Sequence, residues 1–295
     1  KNMMTPVNYI YDLVQAGGPE PEQYATLNHT LEEFNLLERR GEFNHYGPDF
    51  KEDLMGKSLT FDTMQGFAYR KPHGHSGDFE VIERICGDYQ TADQGLKKWD
   101  EFWSQQAFVE AFQNSQNYFQ QTMQDVEQVA HEVKVLNVAS GSSRSVANYL
   151  GATEKSEATF LCMDNNWKAL DYARLLCRSH IDRVHFQHGV VADLKTPNQY
   201  DLVWSEGLFD YLNDNAFKST LEKLLTQTQK GGQLVIGNLS TTNPSQHYMD
   251  FLQWHVNPRS EAHLYYLASC CGVKRSQMHV VKDPSGVNLF LHIAR

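Results

Sequence analysis

The sequence lacks most of the features that classify a protein quickly. It has no Cys-x-x-Cys pair, and its five cysteines, at 86, 162, 177, 270 and 271, are odd in number. That argues against a disulfide framework or a thiolate zinc site, and reduced thiols in a cytoplasmic protein are the simplest reading. No stretch approaches the ~18 continuous apolar residues of a membrane span. Basic residues are in deficit, 26 Lys and Arg against 36 Asp and Glu, a formal net charge of -10 with no basic run. This argues against a nucleic-acid partner, which usually meets a basic face. No glycine turn reaches a full Gly-x-Gly-x-x-Gly, and no targeting segment, internal repeat or low-complexity tract is read.

What is present is a globular composition. Of 295 residues, 41% are hydrophobic, 12% aromatic and 21% charged, enough for one large domain or two modest ones. Two patterns divide the chain. Residues 1–130 read as a helical and irregular region, either a lid with substrate contacts or a homodimer interface. Tyr24, Leu27, Leu31, Phe34 and Leu37 recur at helical spacing, with Gly41 as the stop. Trp99, Phe102, Trp103, Phe108, Phe112, Phe119, Met123 and Val126 continue a helical pattern over 98–133. Such a stripe reads first as core, with an apolar channel wall as the alternative. Between them lies the Gly/Pro/His-rich connection Tyr69–Asp78.

Residues 131–295 alternate strands with helices. Strands are expected at 133–139, 159–163, 184–187, 201–205 and 233–237, with helices at 167–179 and 215–228 between them. This is the signature of a parallel sheet covered on both faces. The chain ends in runs at 278–282 and 287–294 around Pro284-Ser285-Gly286. A turn that short joins antiparallel strands. The expected fold is therefore α/β: a Rossmann-like, mostly parallel sheet with a C-terminal antiparallel hairpin strand, plus the helical N-terminal region.

Chemistry concentrates where these strands end, at the carboxyl edge where nucleotide-like cofactors sit. The first strand runs into Ala139-Ser140-Gly141-Ser142-Ser143, a turn of small residues that lets backbone approach a ligand. Arg144 follows at a helix start, placed to hold a carboxylate by paired hydrogen bonds, or else as a solvated helix arginine. The second strand ends in Asp164, with Asn165 next. Asp164 lies 23 residues after Gly141, close to the ~20-residue spacing at which an acid accepts both ribose hydroxyls. A helix cap is its plainer role, one that Asn165 or Asn166 could equally fill. In the third loop, Val191 would pack on adenine and Asp193 would read its amine, with a turn cap as the alternative. The fourth strand ends in Ser205-Glu206-Gly207, where Glu206 would meet the amino end of a cofactor. The ordered set points to S-adenosylmethionine, and hence to a methyltransferase of the class I fold.

Two segments carry a family resemblance: Gly207-Leu208-Phe209-Asp210-Tyr211-Leu212 and Asn243-Pro244-Ser245 with Tyr248-Met249. Together with Arg70-Lys71-Pro72-His73-Gly74-His75-Ser76-Gly77-Asp78, they resemble the bacterial extracellular-factor (3-hydroxypalmitic acid methyl ester) biosynthesis methyltransferases, over roughly residues 65–295. The resemblance implies methylation of a 3-hydroxy fatty-acid carboxylate. Lys71, His75 and the run His255–Arg259 depart from that family's pattern, in segments expected to face substrate.

Methyl transfer is an in-line displacement in which the protein mainly aligns nucleophile and methyl carbon. A carboxylate acceptor needs no general base, whereas a hydroxyl does. His247, Tyr211 and Arg259 are the candidate catalytic residues: His247 as base, Tyr211 packing at the reacting centre, Arg259 clamping a carboxylate. Tyr69, Arg70, His75, Asp210, Tyr248 and His255 are the candidate substrate contacts. For each, a structural role is the alternative. His73, His75, Asp78 and Glu80 have the chemistry of metal ligands but no second Cys/His group, and read as a hydrogen-bonded loop without metal. A small-molecule O-methyltransferase leads. A nicotinamide-dependent oxidoreductase and a non-catalytic methyltransferase-like binding module remain, the latter because the glycine turn is eroded.

Overall fold

The computed structural model describes residues 4–195, 197 and 199–295. In chain order the helices are α1 (Met4–Gln15), α2 (Tyr24–Arg39), α3 (Phe50–Met55), α4 (Met64–Arg70), α5 (Phe79–Cys86), α6 (Lys97–Ser104), α7 (Ala107–Val129), α8 (Arg144–Ala152), α9 (Trp167–Leu176), α10 (Asp214–Gln227), α11 (Gln246–Phe251) and α12 (Glu261–Cys270). The strands are β1 (Lys134–Val138), β2 (Thr159–Asp164), β3 (Val184–His188), β4 (Tyr200–Ser205), β5 (Thr228–Leu239), β6 (Met278–Lys282) and β7 (Asn288–Ala294). They fall into two compact units: Lys1–Glu110 with Asn243–His255, and Ala111–Thr242 with Val256–Arg295. The division expected at residue 130 lies instead in the first turn of α7, and a segment after β5 returns to the first unit.

The first unit is helical. The expected pattern over 98–133 is two helices, because the chain leaves helical geometry at Gln105-Gln106. Trp99, Phe102, Trp103 and Phe108 are all buried. They pack with Tyr248 and Trp254, ring centroids of Phe102 and Tyr248 lying 4.8 Å apart and those of Phe108 and Trp254 5.4 Å. These aromatics are core, and the channel-wall alternative does not hold for them. The buried Asp100 carboxylate ties the unit together by accepting from the backbone N–H groups of Met64 (2.9 Å) and Thr91 (2.6 Å). The returning segment is fastened in the same way: Tyr248 donates its hydroxyl to Gln65 Oε1 at 2.6 Å, and Asn35 Nδ2 donates to the His247 carbonyl at 2.8 Å.

The second unit is built on one seven-stranded sheet of order β3-β2-β1-β4-β5-β7-β6. The first five strands are parallel, and β7 runs antiparallel to both β5 and β6. Side chains alternate between two buried faces. Leu136, Val138, Val203, Leu234, Ile236, Leu289 and Leu291 share one cluster with α10 and α12 residues. Val135, Leu202, Trp204, Val235 and Phe290 share the other with Phe119 and Met123 of α7 and Val146 of α8. Burial on both faces is why these strands read as near-continuous apolar runs. β5 begins five residues before its expected start, with Gly231 at φ 87 in the added part and a register shift opposite Tyr200 and Leu202.

Candidate cofactor site and acceptor residues

Parallel strands deliver the ends of β1, β2, β3 and β4 to one edge of the sheet, and the candidate cofactor residues gather there. The β1 turn is wound tightly. Ala139, Gly141 and Ser143 take φ of 53, 54 and 57. Two non-glycine residues in the left-handed region within five positions is a strained arrangement of the kind that clusters at ligand sites. The turn is held by Ser140 N–H donating to the Met163 carbonyl (3.0 Å) and Ser143 N–H to the Ser140 carbonyl (2.8 Å). Gly141 N–H donates to Asp164 Oδ2 at 2.8 Å. Ser142 is buried and Arg144, the first residue of α8, is half-buried.

Asp164 is therefore fixed at the end of β2. Its Oδ1 accepts from Asn166 N–H at 2.9 Å, while the cap of α9 is supplied by Asn166, whose side chain accepts from Lys168 N–H at 2.9 Å. The capping alternative for Asp164 thus falls to Asn166, and each carboxylate oxygen keeps lone-pair capacity. Asn165 is exposed beside it, its carbonyl 3.0 Å from His188 Nε2. Trp167 stacks on the His188 ring with centroids 4.1 Å apart and planes 3° from parallel. The sequence reading missed this exposed aromatic pair.

At the end of β4, Glu206 is half-buried as a residue, but its Oε2 is out of solvent and has no hydrogen-bond partner among the described residues. Burial raises its carboxyl to about 7, with the Ser115 hydroxyl opposing. Ser140 Oγ is likewise buried and without a partner among the described residues. Orphaned buried polar atoms cost about 1–3 kcal/mol each, and these two stand at the β1 and β4 ends, where the sequence places a cofactor. Gly237 of β5, also missed, explains how Glu206 comes so close. A Cβ on Gly237 would lie 2.8 Å from the Glu206 carbonyl oxygen and 3.1 Å from its Cα. Gly207 follows in open space.

Several expected roles are corrected. Ser205 is fully buried and donates its hydroxyl to the Val138 carbonyl at 3.1 Å, tying β4 to β1 rather than facing a cofactor. Asp193 caps its own turn, Oδ2 accepting from Val190 N–H at 2.9 Å, which is the turn-cap role, and the residue is exposed. Val191 half-buries against the α10 side of the core. Asp210 is buried, and its Oδ1 accepts from Leu239 N–H at 2.6 Å. Burial raises it to about 7, against the Leu239 N–H and the Arg259 charge and with the repulsion of Glu206. It braces β5 and does not present its carboxylate to an acceptor.

Arg259 is the clearest correction. It is 1% exposed. Its Nη1 donates to the Phe209 carbonyl (2.9 Å) and Asn238 Oδ1 (2.8 Å), Nε to Asp214 Oδ1 (3.2 Å), and Nη2 to the Leu212 carbonyl. Nη2 also lies 3.2 Å from Asp214 Oδ1. Four of its five N–H groups donate these hydrogen bonds and the guanidinium is already paired with a carboxylate, so it is not free to clamp a substrate.

The other acceptor candidates divide between the units. Tyr211, 40% exposed, closes the short turn after β4 in the second unit. Tyr69, Arg70, His75, His247, Tyr248 and His255 belong to the first. Tyr248 is core, by its burial and its bond to Gln65. Arg70 pairs with Glu52 at 3.2 Å. His247 Nε2 stands 3.6 Å from Glu32 Oε2, and His75 and His255 are exposed. In the loop between α4 and α5, His73 Nε2 meets Glu80 Oε2 at 2.8 Å, and Asp78 caps α5 by accepting from Glu80 and Val81 N–H at 3.0 Å each. Among the described residues no group of three or more His, Cys, Asp or Glu is placed to hold a metal ion.

Residues 135–232 match a family model described as a methyltransferase domain. No curated protein matches the chain in sequence. Among solved structures, the chain is similar to a Bordetella parapertussis protein described as a possible exported protein, at 14% identity and TM-score 0.64, over 99% of this chain and 96% of that one. It is also similar to magnesium protoporphyrin IX methyltransferase of Synechocystis, solved with bound S-adenosylmethionine, at 12% identity and TM-score 0.54, over 79% and 97%. A third is the S-adenosylmethionine-dependent methyltransferase SibL, at 15% and 0.51, over 83% and 72%. The second unit has the sheet order and mixed sheet of the methyltransferase fold, and the matched residues 135–232 lie wholly within it. No helix among the described residues is long and apolar enough to cross a membrane.

Proposed function

We propose that this chain is an S-adenosylmethionine-dependent methyltransferase that O-methylates the carboxylate of a small acyl metabolite, with a 3-hydroxy fatty acid as the leading acceptor. The observation that carries the cofactor reading is the Asp164 carboxylate, anchored by Gly141 and Asn166 N–H within reach of a strand edge that also holds the orphaned Ser140 Oγ and Glu206 Oε2. These residues fit the group: Asp164 would accept from the ribose hydroxyls, Glu206 from the ammonium, and Arg144 would hold the methionine carboxylate. Ala139, Gly141 and Ser142 would let the backbone approach, with Asn165 flanking the adenine end and Gly207 leaving room beside Glu206. The cofactor, when bound, supplies a methyl group already activated on a sulfonium.

A carboxylate acceptor is favoured because it needs no proton acceptor at the reacting centre. The one base candidate on a helix, His247, is half-exposed beside Glu32. The acceptor class rests on the family resemblance, and the net charge of -10 weighs against a polyanion. His247, Tyr211, Tyr69, Arg70, His75 and His255 stay as candidate acceptor residues.

The test is calorimetric titration with S-adenosylhomocysteine, with NADH in parallel, followed by incubation with S-adenosylmethionine and 3-hydroxy fatty acids of graded length. The expected result is binding of the former alone and a methyl ester detected by mass spectrometry. A methyl ether in place of the ester would overturn the carboxylate assignment. Binding of neither nucleotide would favour the non-catalytic module.

Cofactor affinity should depend on pH. Glu206 must be ionised to accept from an ammonium, and its carboxyl sits at about 7. Its ionised fraction rises from about 0.1 at pH 6 to about 0.9 at pH 8, so affinity for S-adenosylhomocysteine should rise roughly tenfold across that interval. Asp210, held near the same value and repelling Glu206, would broaden the transition. Glu206→Gln should bind more weakly and flatten the profile, and an unchanged slope in that variant removes Glu206 from the site.

A further inference from the structure

The first unit contains a cavity of about 340 Å³ whose lining residues all belong to that unit. Its lining mixes the aromatic rings of Phe43, Phe50 and Tyr69 and the Pro48 ring with the polar side chains of Glu38, Asn44, Lys51 and Gln253, and Phe50 packs tilted against Phe43 (5.2 Å) and stacked on Tyr46 (4.6 Å). At its polar side stands Lys51, a lysine 4% exposed. A buried ammonium is costly unless neutralised. Lys51 Nζ donates to Glu38 Oε1 at 3.0 Å and to the Phe251 carbonyl at 2.7 Å, and lies 4.7 Å from the Phe251 ring centre. Those oxygens take two of its three donors, and the rest of the ammonium faces the Phe251 and Phe34 rings, a softer partner than a carboxylate.

The neutralisation is incomplete. Glu38 is 39% exposed, so water weakens its hold on the ammonium. A second cation, Lys71, sits at the left-handed end of α4 (φ 47), close enough for its charge to lower the Lys51 pKa further, after burial. Glu52, on the same helix as Lys51, is already shared between Arg70 at 3.2 Å and the Tyr69 hydroxyl at 3.4 Å. A buried ammonium with one half-exposed carboxylate partner, a second lysine near it and aromatic rings in the lining ask for a singly charged anion with an apolar body. The nearby Glu38 and Glu52 carboxylates disfavour a dianion such as phosphate.

We propose that this cavity binds a small organic monocarboxylate, its carboxylate on Lys51 and its apolar body against Phe43, Phe50 and Tyr69. The cofactor residues all lie in the other unit, so this site stands whether or not the chain transfers a methyl group.

The experiment is calorimetric titration of the full chain with benzoate and octanoate, each against its uncharged amide. Saturable binding of at least one acid at one site per chain is expected, with the amide weaker by roughly tenfold or more. Lys51→Met should weaken the acid by a similar factor. Asn44→Trp, which fills the cavity from an exposed position and leaves Lys51 intact, should abolish binding. Near-ultraviolet circular dichroism reports whether each variant keeps its aromatic core, and if Lys51→Met loses it, Asn44→Trp decides. The proposal is overturned if neither acid saturates, if the amides bind as tightly, or if a folded Asn44→Trp binds like the parent.

Discussion

Asp164→Ala is expected to weaken S-adenosylhomocysteine binding by about a hundredfold and leave the fold in place. A carboxylate that accepts from two ribose hydroxyls makes two charge-assisted hydrogen bonds, each worth about 1.5–3 kcal/mol. Taking the lower figure for each, the loss is about 3 kcal/mol, or two decades in affinity. The variant also frees Gly141 N–H, which donates to Oδ2 at 2.8 Å, and so loosens the turn that would approach the cofactor. α9 should still begin correctly, because its cap is the Asn166 side chain. Asp164→Asn, with one acceptor oxygen in place of two, should fall between. Calorimetry with a parallel thermal melt checks this, and unchanged affinity in a folded Asp164→Ala would remove the ribose assignment.

Arg259→Met should lower stability by about 4 kcal/mol and the melting temperature by about 10 °C, with cofactor affinity largely kept in the folded fraction. The methionine fills much of the volume but donates nothing. The Phe209 and Leu212 carbonyls and Asn238 Oδ1 would then lose the guanidinium. Unsatisfied buried acceptors carry most of the cost. Asp214, half-exposed, should regain water and contribute little. A variant that melts like the parent but fails to turn over a carboxylate acceptor would refute the bracing role and restore the clamp.

The contrast between these residues marks what the sequence disclosed. All seven strands were legible, the inner ones because burial on both faces of the sheet leaves apolar runs, whereas the edge strands β3 and β6 are part-exposed and mix polar with apolar residues. The place of Asp164 at the end of β2 was legible because it directly follows an apolar run; that Asn166 and not Asp164 caps α9 was not, since both stand within three residues of the helix start. The start of β5 was hidden by Gly231-Gly232, which imitate a turn although Gly232 sits within the strand, where a Cβ would lie 2.7 Å from the Asp201 carbonyl oxygen. The break between α6 and α7 was hidden because the apolar spacing runs on past Gln105-Gln106. Arg259 was misread because its burial depends on residues 209, 212, 214 and 238 converging on it, and no local pattern encodes that. The Lys51 cavity went unseen for the same reason: its lining comes from four separate segments.

The return of Asn243–His255 to the helical unit has a consequence for how the protein is made. The N-terminal helices leave the ribosome long before Tyr248, Phe251 and Trp254 exist to cover Phe34, Phe102 and Trp103. A nascent chain must therefore carry exposed aromatic surface through the synthesis of five parallel strands, the interval in which such surface invites aggregation. Expression of residues 1–110 alone should accordingly yield insoluble or chaperone-bound material, and supplying the 243–255 peptide in trans would be the direct way to see whether that surface is what fails.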